Sequence, residues 1–569
     1  MKKILETMLA VMVMSLLACP EVSAASDGKC GDNITWTLDD AGNLLIEGTG
    51  PMYDYDYASR NPSPWAYSGD VKTVKFSDGI THIGDDIFYA CWEIKSVEIP
   101  SSVTSIGVFS FEGCRGLTSI VLPEGLTTIG AGAFSNCEGL TSLTIPNSVT
   151  MIDESAFYGC KGLKSVTIGK SVTTIGTGAF AVCDELVSIV VDDDNAKYDS
   201  RDNSNAIIET ASNTVVVGCI GTVIPSSVTT IGAYAFFSCR TLTTMTIPES
   251  VTTIGDNAFR DCTALTSVTL PNSLTSLGAG AFSQCTGLSS VTIGNSLTTI
   301  SVSAFYECKS LTSIEFPASV TTIGEYAFNE CESLASVTLP NSVTTIGTGA
   351  FCYCGALTSL TIPASVTSLG DLAFVGRGMT SIVVDENNKV YDSRNNCNAI
   401  IETATNTLKL GCANTVIPNE ITGIGTGAFA FCNTMTSVTI PAKVTSLGIS
   451  AFQACNSLTN VVCLAPNPPT CGKNAFAYVN KEKCKLSVIM ESLELYKAAD
   501  TWMDFENIEG LLGVDDITVD GDNAEALYDV YNMQGVKVGS GLRRADMDDV
   551  LPRGVYILVS PEATRKIRL

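Results

Sequence analysis

The chain has 569 residues, 45% of them hydrophobic and 16% charged, and a formal net charge of −26. With 33 Lys and Arg against 59 Asp and Glu, it lacks the clustered basic residues that grip nucleic-acid phosphates or anionic lipid. Length alone suggests several domains, but internal repeats override that expectation because a repeat protein grows along one axis.

Residues 1–24 read as a secretion signal: Lys2 and Lys3, an apolar run from Met8 to Ala18, and Val22-Ser23-Ala24 as a small-residue cleavage site. The run is far shorter than the ~20 residues of a retained span. Leu16-Leu17-Ala18-Cys19 also resembles a bacterial lipoprotein box that would lipidate Cys19. Both routes predict a secreted or cell-surface, outer-membrane-associated protein. No other apolar segment is long enough to span a membrane. Residues 25–70, with CGDNITWTLDD and the aromatic MYDYDYASRNPSPW, are expected to form β-strands that cap the first coil.

Residues 71–480 repeat one phrase. Cys91, Cys114, Cys137, Cys160 and Cys183 stand 23 residues apart, as do Cys239 through Cys354 and then Cys432 and Cys455. An Ala-Phe pair keeps the same beat, as in Ala258-Phe259. Constant spacing of this kind predicts a solenoid. Within a unit, Leu140-x-x-Leu143-x-Ile145 fits a leucine-rich-repeat strand and Pro146 stops it. A second β-branched segment comes next, Gly130 and its equivalents allow a sharp turn, and AFxxC makes a short helical turn. The expected fold is a stack of 23-residue coils with a parallel β-sheet. The ladder cysteines are read as free, buried, small hydrophobes, because stacked Cβ atoms lie ~4.8 Å apart, beyond the ~3.8 Å mean of a disulfide. Cys463, Cys471 and Cys484 are the expected candidates for a bridge, and Cys352 reads as a surface or corner substitution.

Two segments break the repeat, near residues 192–220 and 385–413, and they match each other at an offset of 193. Tyr198 pairs with Tyr391, Arg201 with Arg394 and Glu209 with Glu402. Each reads as a hairpin projecting from the solenoid, offering Tyr and Arg of the kind enriched at interface hot spots. On the repeat strand the outward residues are hydroxyl-bearing, including Thr144, Thr167, Thr246, Thr269 and Thr292. They form an uncharged column interrupted by Glu98, Val121 and Glu315. These Thr, Tyr, Arg and Glu side chains are the expected ligand contacts. The bland account of the Thr column is β-propensity and solubility.

Chemistry is sparse. The lone histidine, His82, takes the place of a surface Thr or Ser, with no nucleophile nearby in the expected context. The thiols lack the CxxC spacing of zinc sites, and Asp192-Asp193-Asp194 reads as a solvated turn. No catalytic residue, cofactor or metal is expected. A carboxylate enzyme would need two carboxyl groups ~5–10 Å apart in a deep pocket. Residues 481–510, with Tyr496, Trp502 and Phe505, are expected to cap the solenoid. Residues 511–569 read as an Asp-rich linker and a small β module with strands at LYDVYNMQGVKV and GVYILV.

LTSLTIPNSVTMIDESAFYGC (Leu140–Cys160), CGDNITWTLDD and the NAIIET segments closely resemble BspA-like leucine-rich repeat surface proteins, over roughly residues 28–510. That resemblance implies a right-handed solenoid, no shared catalytic residues, and adhesion to host extracellular-matrix or cell-surface proteins, to other bacteria, or to glycans. The ending YNMQGVKV…LPRGVYIL…RKIRL looks like the C-terminal sorting domain of Bacteroidetes type IX secretion cargo, although RRADMDDV (Arg543–Val550) departs from it.

Overall fold

A computed structural model describes residues 26–58, 61–511, 528–532, 537–543, 547, 551, 555–559 and 564–568. The expected leader, Cys19 and most of the expected linker lie outside the described residues. The chain divides into two compact units: one runs to Leu297 and includes Ala304–Lys309, the other comprises Thr298–Ser303 and everything from Ser310.

In the first unit an antiparallel meander, Ser26–Gly31, Ile34–Leu38 and Asn43–Gly48, hands over to parallel strands at Thr73–Phe76 and Ser96–Glu98. This sheet continues the repeat-strand role of Ser142–Thr144, Ser165–Ile168 and Ser188–Val191, which pair in parallel at the 23-residue offset, Ser142 against Ser165 and Leu143 against Val166. A second parallel sheet of six short strands runs from Gly50–Pro51 to Thr174–Ile175. On the strands Leu143, Val166 and Ile189 point inward and are buried, while their neighbours face out, as the period-2 pattern requires.

The third side of each coil differs from expectation. AFxxC makes single turns, closed by bonds such as Cys137 N–H to Phe134 O at 3.2 Å. Between those turns the chain bonds to the next coil, with Phe134 N–H reaching Ala156 O at 2.8 Å and Asn136 N–H reaching Tyr158 O. Left-handed residues, Gly132 (φ 59°) and Asn136 (φ 59°), stop helix propagation. Gly130 is needed for a different reason from the one its spacing suggested. Its φ is ordinary, but a Cβ there would lie 2.8–2.9 Å from the backbone of Gly107 and Val108.

Burial of the repeated side chains builds a column of stacked rings. Phe88, Phe111, Phe134, Phe157 and Phe180 follow one another at 5.0–5.4 Å. Beside them runs the cysteine ladder. Among the described residues every cysteine is a free thiol. The ladder thiols do more than fill space: Cys114 Sγ–H donates to Phe88 O at 3.4 Å, Cys137 to Phe111 O at 3.2 Å, and Cys160 to Phe134 O at 3.3 Å. The same bond recurs at Cys262 and Cys285, and in the second unit at Cys354 and Cys455. Burial pushes the thiols of Cys114, Cys137 and Cys160 well above their ordinary pKa, so little thiolate exists at neutral pH. We therefore expect alkylation of the native protein at pH 8 to spare these three, while Cys239 and Cys471, whose thiols burial also raises but which are half-buried, react first through access alone. Peptide mass spectrometry before and after denaturation checks this.

The second unit repeats the plan. Its strands Thr299–Ile300, Thr322–Ile323, Thr345–Ile346 and Ser368–Leu369 form a parallel sheet, and Phe429, Phe452 and Phe476 stack at 5.1 Å. Lys485–Ile489 and Asn507–Leu511 extend the repeat sheet, with a short helix at Leu493–Ala498 between them. Tyr496, Trp502 and Phe505, all buried, close the end of the Phe column, Trp502 edge-on to Phe476 at 5.4 Å. Cys463, Cys471 and Cys484 form no bridge. Cys463 Sγ instead accepts the Tyr496 hydroxyl at 3.1 Å. Cys352, expected at the surface, is buried at 5% exposure. Tyr528–Asn532, Lys537–Leu542, Val555–Val559 and Thr564–Arg568 make an antiparallel four-stranded sheet near the C-terminus.

The two inserts do not project. Tyr198–Asp199, Ile207–Glu209 and Thr214–Val217 form an antiparallel set whose last strand pairs in parallel with Thr230–Ile231, starting a new stretch of the second sheet. Tyr391–Asp392, Ala399–Glu402 and Thr407–Gly411 do the same against Gly423–Ile424. Ile207, Ile208, Ile400 and Ile401 are fully buried, so each insert serves as part of the wall.

Candidate interaction surfaces

Integration of the inserts removes most of their expected contacts. Tyr198 and Tyr391 are 4% and 3% exposed, because their rings pack into the core beside the preceding coil. The Tyr391 hydroxyl accepts Leu369 N–H at 3.0 Å. Arg201 is held by both oxygens of Asp199 and by Asn213 Oδ1, and Arg394 by Asp392 and Asn406 in the same way. Both guanidinium groups brace their own turn. Glu209 and Glu402 stay partly open, accepting the hydroxyls of Ser212 and Thr405.

The repeat sheet is the contrasting surface. Thr144, Thr167, Thr246, Thr269 and Thr292 are all exposed, in register as Thr144 against Thr167 and Thr269 against Thr292. Their hydroxyls have no partner among the described residues. The Thr residues just before the second-sheet strands behave differently: Thr104 Oγ1 donates to Thr81 O at 3.1 Å, Thr127 to Thr104 O at 2.9 Å and Thr150 to Thr127 O at 3.2 Å. Those hydroxyls stitch coils together. Of these two columns, the one on the repeat strands leaves its hydroxyls without a partner among the described residues. Val121 (81% exposed) and Val190 (48%) add apolar area in the same column, while Glu98 is tied to Lys75 at 3.0 Å.

Near the first coil His82 is partly buried rather than a bare surface substitution. Its Nδ1 lies 2.7 Å from Ser105 Oγ and its Nε2 3.2 Å from Asp54 Oδ1. A hydroxyl therefore does lie beside the histidine, contrary to the sequence reading. The signal was the period itself, since residue 105 stands 23 after residue 82 on the adjoining strand. Next to this group is an aromatic cluster in which Tyr57 stacks on Tyr89 at 4.3 Å, with Tyr67 and Trp92 also exposed. Asp194 N–H bonds Asp192 Oδ1 at 2.9 Å, a local turn as expected. A shallow cleft where the Phe column breaks is lined by Phe180, Val217, Tyr234, Phe237 and Cys239 among others, with no carboxylate.

The family model described as the BspA type leucine rich repeat region matches in six copies, over residues 66–205, 219–321, 298–405 and 405–497. A solved leucine-rich repeat protein from Eubacterium ventriosum is 30% identical, covering 63% of this chain and 96% of its own, with a TM-score of 0.56. One from Bacteroides ovatus is 27% identical over 64% of this chain and 96% of its own (TM-score 0.44). A leucine rich cell surface protein from Faecalibacterium prausnitzii is 28% identical over 60% and 95% (TM-score 0.41). No curated protein matches. With the solenoid repeat seen in its sheets and the family model matched over most of residues 66–497, the chain belongs to the BspA type leucine-rich repeat family.

Proposed function

We propose that this is a secreted or surface-displayed adhesin-type protein that binds extracellular-matrix or cell-surface proteins of a host, or neighbouring cells, through the outward face of its repeat sheet. Family membership supports protein binding, since solenoids of this kind present extended surfaces built from identical elements. The sequence of residues 1–24 supports export, and the C-terminal strands are read as the sorting or anchoring module. The observation that carries the reading is the exposed Thr column on the repeat strands, whose hydroxyls have no partner among the described residues, whereas the Thr residues just before the second-sheet strands spend theirs on the preceding coil.

Because that column is uncharged, binding should depend weakly on salt. Raising ionic strength from about 0.1 to 1 M shrinks the Debye length from about 10 to 3 Å, yet we expect less than about a threefold change in affinity. Biolayer interferometry on a panel of matrix proteins, beside a glycan array, tests the assignment. Retention on one or more matrix proteins that survives high salt supports it. Binding confined to the glycan array would assign the surface to carbohydrate instead, and turnover of a carbohydrate substrate would point to an enzyme.

A further inference from the structure

The only histidine of the chain sits where the cap meets the first coil, and two carboxylates converge on it. Strand Gly50–Pro51 pairs with Ile80–Ile83, which carries His82. The chain after Pro51 is then pinned by Met52 N–H to His82 O and Tyr55 N–H to Asp85 O, both at 3.1 Å. This places Asp54 Oδ1 3.2 Å from His82 Nε2, where it also accepts Asp85 N–H at 3.0 Å. Asp85 Oδ1 accepts Val108 N–H at 2.6 Å. One ligand atom from each of Asp54, His82 and Asp85 lies within 4.8 Å of the other two. At the same point of later coils stand Ser105, Thr128, Met151 and Thr174 in place of His82, and Val108, Ala131, Glu154 and Thr177 in place of Asp85. The convergence belongs to the first coil alone among these.

Ser105 supplies an independent observation. Among the described residues its Oγ has no bond other than that to His82 Nδ1. Ser105 can accept from Nδ1–H, which leaves the Nε2 lone pair facing the Asp54 carboxylate for a cation; in the other tautomer Nε2–H donates to Asp54 and Ser105 O–H to Nδ1, so ion binding displaces the Nε2 proton. Fixing one ring nitrogen by a neighbouring acceptor is how a protein orients an imidazole for metal. We propose that His82 Nε2 and one oxygen each of Asp54 and Asp85 bind a borderline divalent transition ion of the zinc type, with water in the remaining position. A mixed nitrogen and carboxylate set suits zinc, cobalt or nickel better than calcium or magnesium, which take oxygen. Contact at about 2.0–2.2 Å requires ligand atoms roughly 3.3 Å apart, a small closure for an Asp54 side chain that is 62% exposed.

The test is titration of the full chain, without its leader and kept anaerobic, with Co²⁺ and then Zn²⁺. We expect one equivalent of Co²⁺ with visible d–d bands and no near-ultraviolet thiolate-to-cobalt band, and displacement by Zn²⁺. His82→Thr, which restores the residue found at Thr128, should abolish the signal with an unchanged circular dichroism spectrum. Asp54→Asn provides a second ligand variant should His82→Thr fold poorly. Ser105→Ala should weaken binding by about tenfold without abolishing it. Absence of binding by the unsubstituted chain, equal binding by a folded His82→Thr or Asp54→Asn, or a thiolate charge-transfer band would overturn the proposal. None of these outcomes bears on the Thr column.

Discussion

Phe134→Ala should destabilise the first unit by about 3–5 kcal/mol. Phe134 is fully buried between Phe111 at 5.1 Å and Phe157 at 5.4 Å, with both neighbouring rings nearly parallel to it. Truncation leaves a ring-sized void in a column whose spacing is set by the backbone bonds between coils, so the neighbours cannot close on it. Because coils contact chiefly their neighbours, a defect of this kind loosens the array locally. Urea unfolding followed by thiol accessibility at Cys137 and Cys160 should show the coils around residue 134 opening first. By contrast Thr144→Ala, at an exposed position without partners among the described residues, should stay within about 0.5 kcal/mol of the unsubstituted protein.

Asn195→Ala should cost a similar amount, about 3–5 kcal/mol, by an unrelated route. The buried Asn195 side chain makes four bonds where the first insert begins. Its Nδ2 donates to Gly169 O at 3.0 Å and Val172 O at 3.1 Å, and its Oδ1 accepts the N–H groups of Lys197 at 2.9 Å and Tyr198 at 2.8 Å. Alanine leaves all four backbone groups without that partner. Asn195→Asp should be no better, since it keeps the acceptor but sets a carboxylate against two carbonyl oxygens. Asn388 makes the same four bonds, to Pro363 O, Val366 O, Val390 N and Tyr391 N, so Asn388→Ala should match it. Thermal denaturation of the three variants checks the claim; a loss below about 1 kcal/mol would mean that water replaces these bonds.

Much of the architecture was legible because a 23-residue period leaves one way to stack coils in register. The Leu, Val and Ile positions and the free state of the ladder thiols followed from it. What the period hides is the partner of each backbone group. NAIIET reads as a hairpin strand, but only three-dimensional register shows Thr214–Val217 joining Thr230–Ile231, and with it the burial of Tyr198 and Tyr391. Arg201 looked available because its bidentate partner, Asp199, is only two residues away and local turns are poorly marked by composition. The two Thr columns are indistinguishable by residue type. Their hydroxyls differ because one column lies where a carbonyl of the preceding coil is within reach. The His82 group was overlooked since Asp54 comes from the cap, 28 residues before His82 and outside the repeat.

The claim most open to contradiction is that the repeat sheet, and not the inserts, makes the contact. The direct measurement is the affinity for a panel of immobilised extracellular-matrix proteins of a chain carrying Thr144→Lys, Thr167→Lys, Thr269→Lys and Thr292→Lys, beside one carrying Glu209→Lys and Glu402→Lys. Both sets change exposed or part-exposed side chains and should leave folding intact. We predict at least a tenfold loss for the Thr set, equivalent to about 1.4 kcal/mol, and little change for the Glu pair. Undiminished binding by the Thr set, with loss confined to the Glu pair, would contradict that claim.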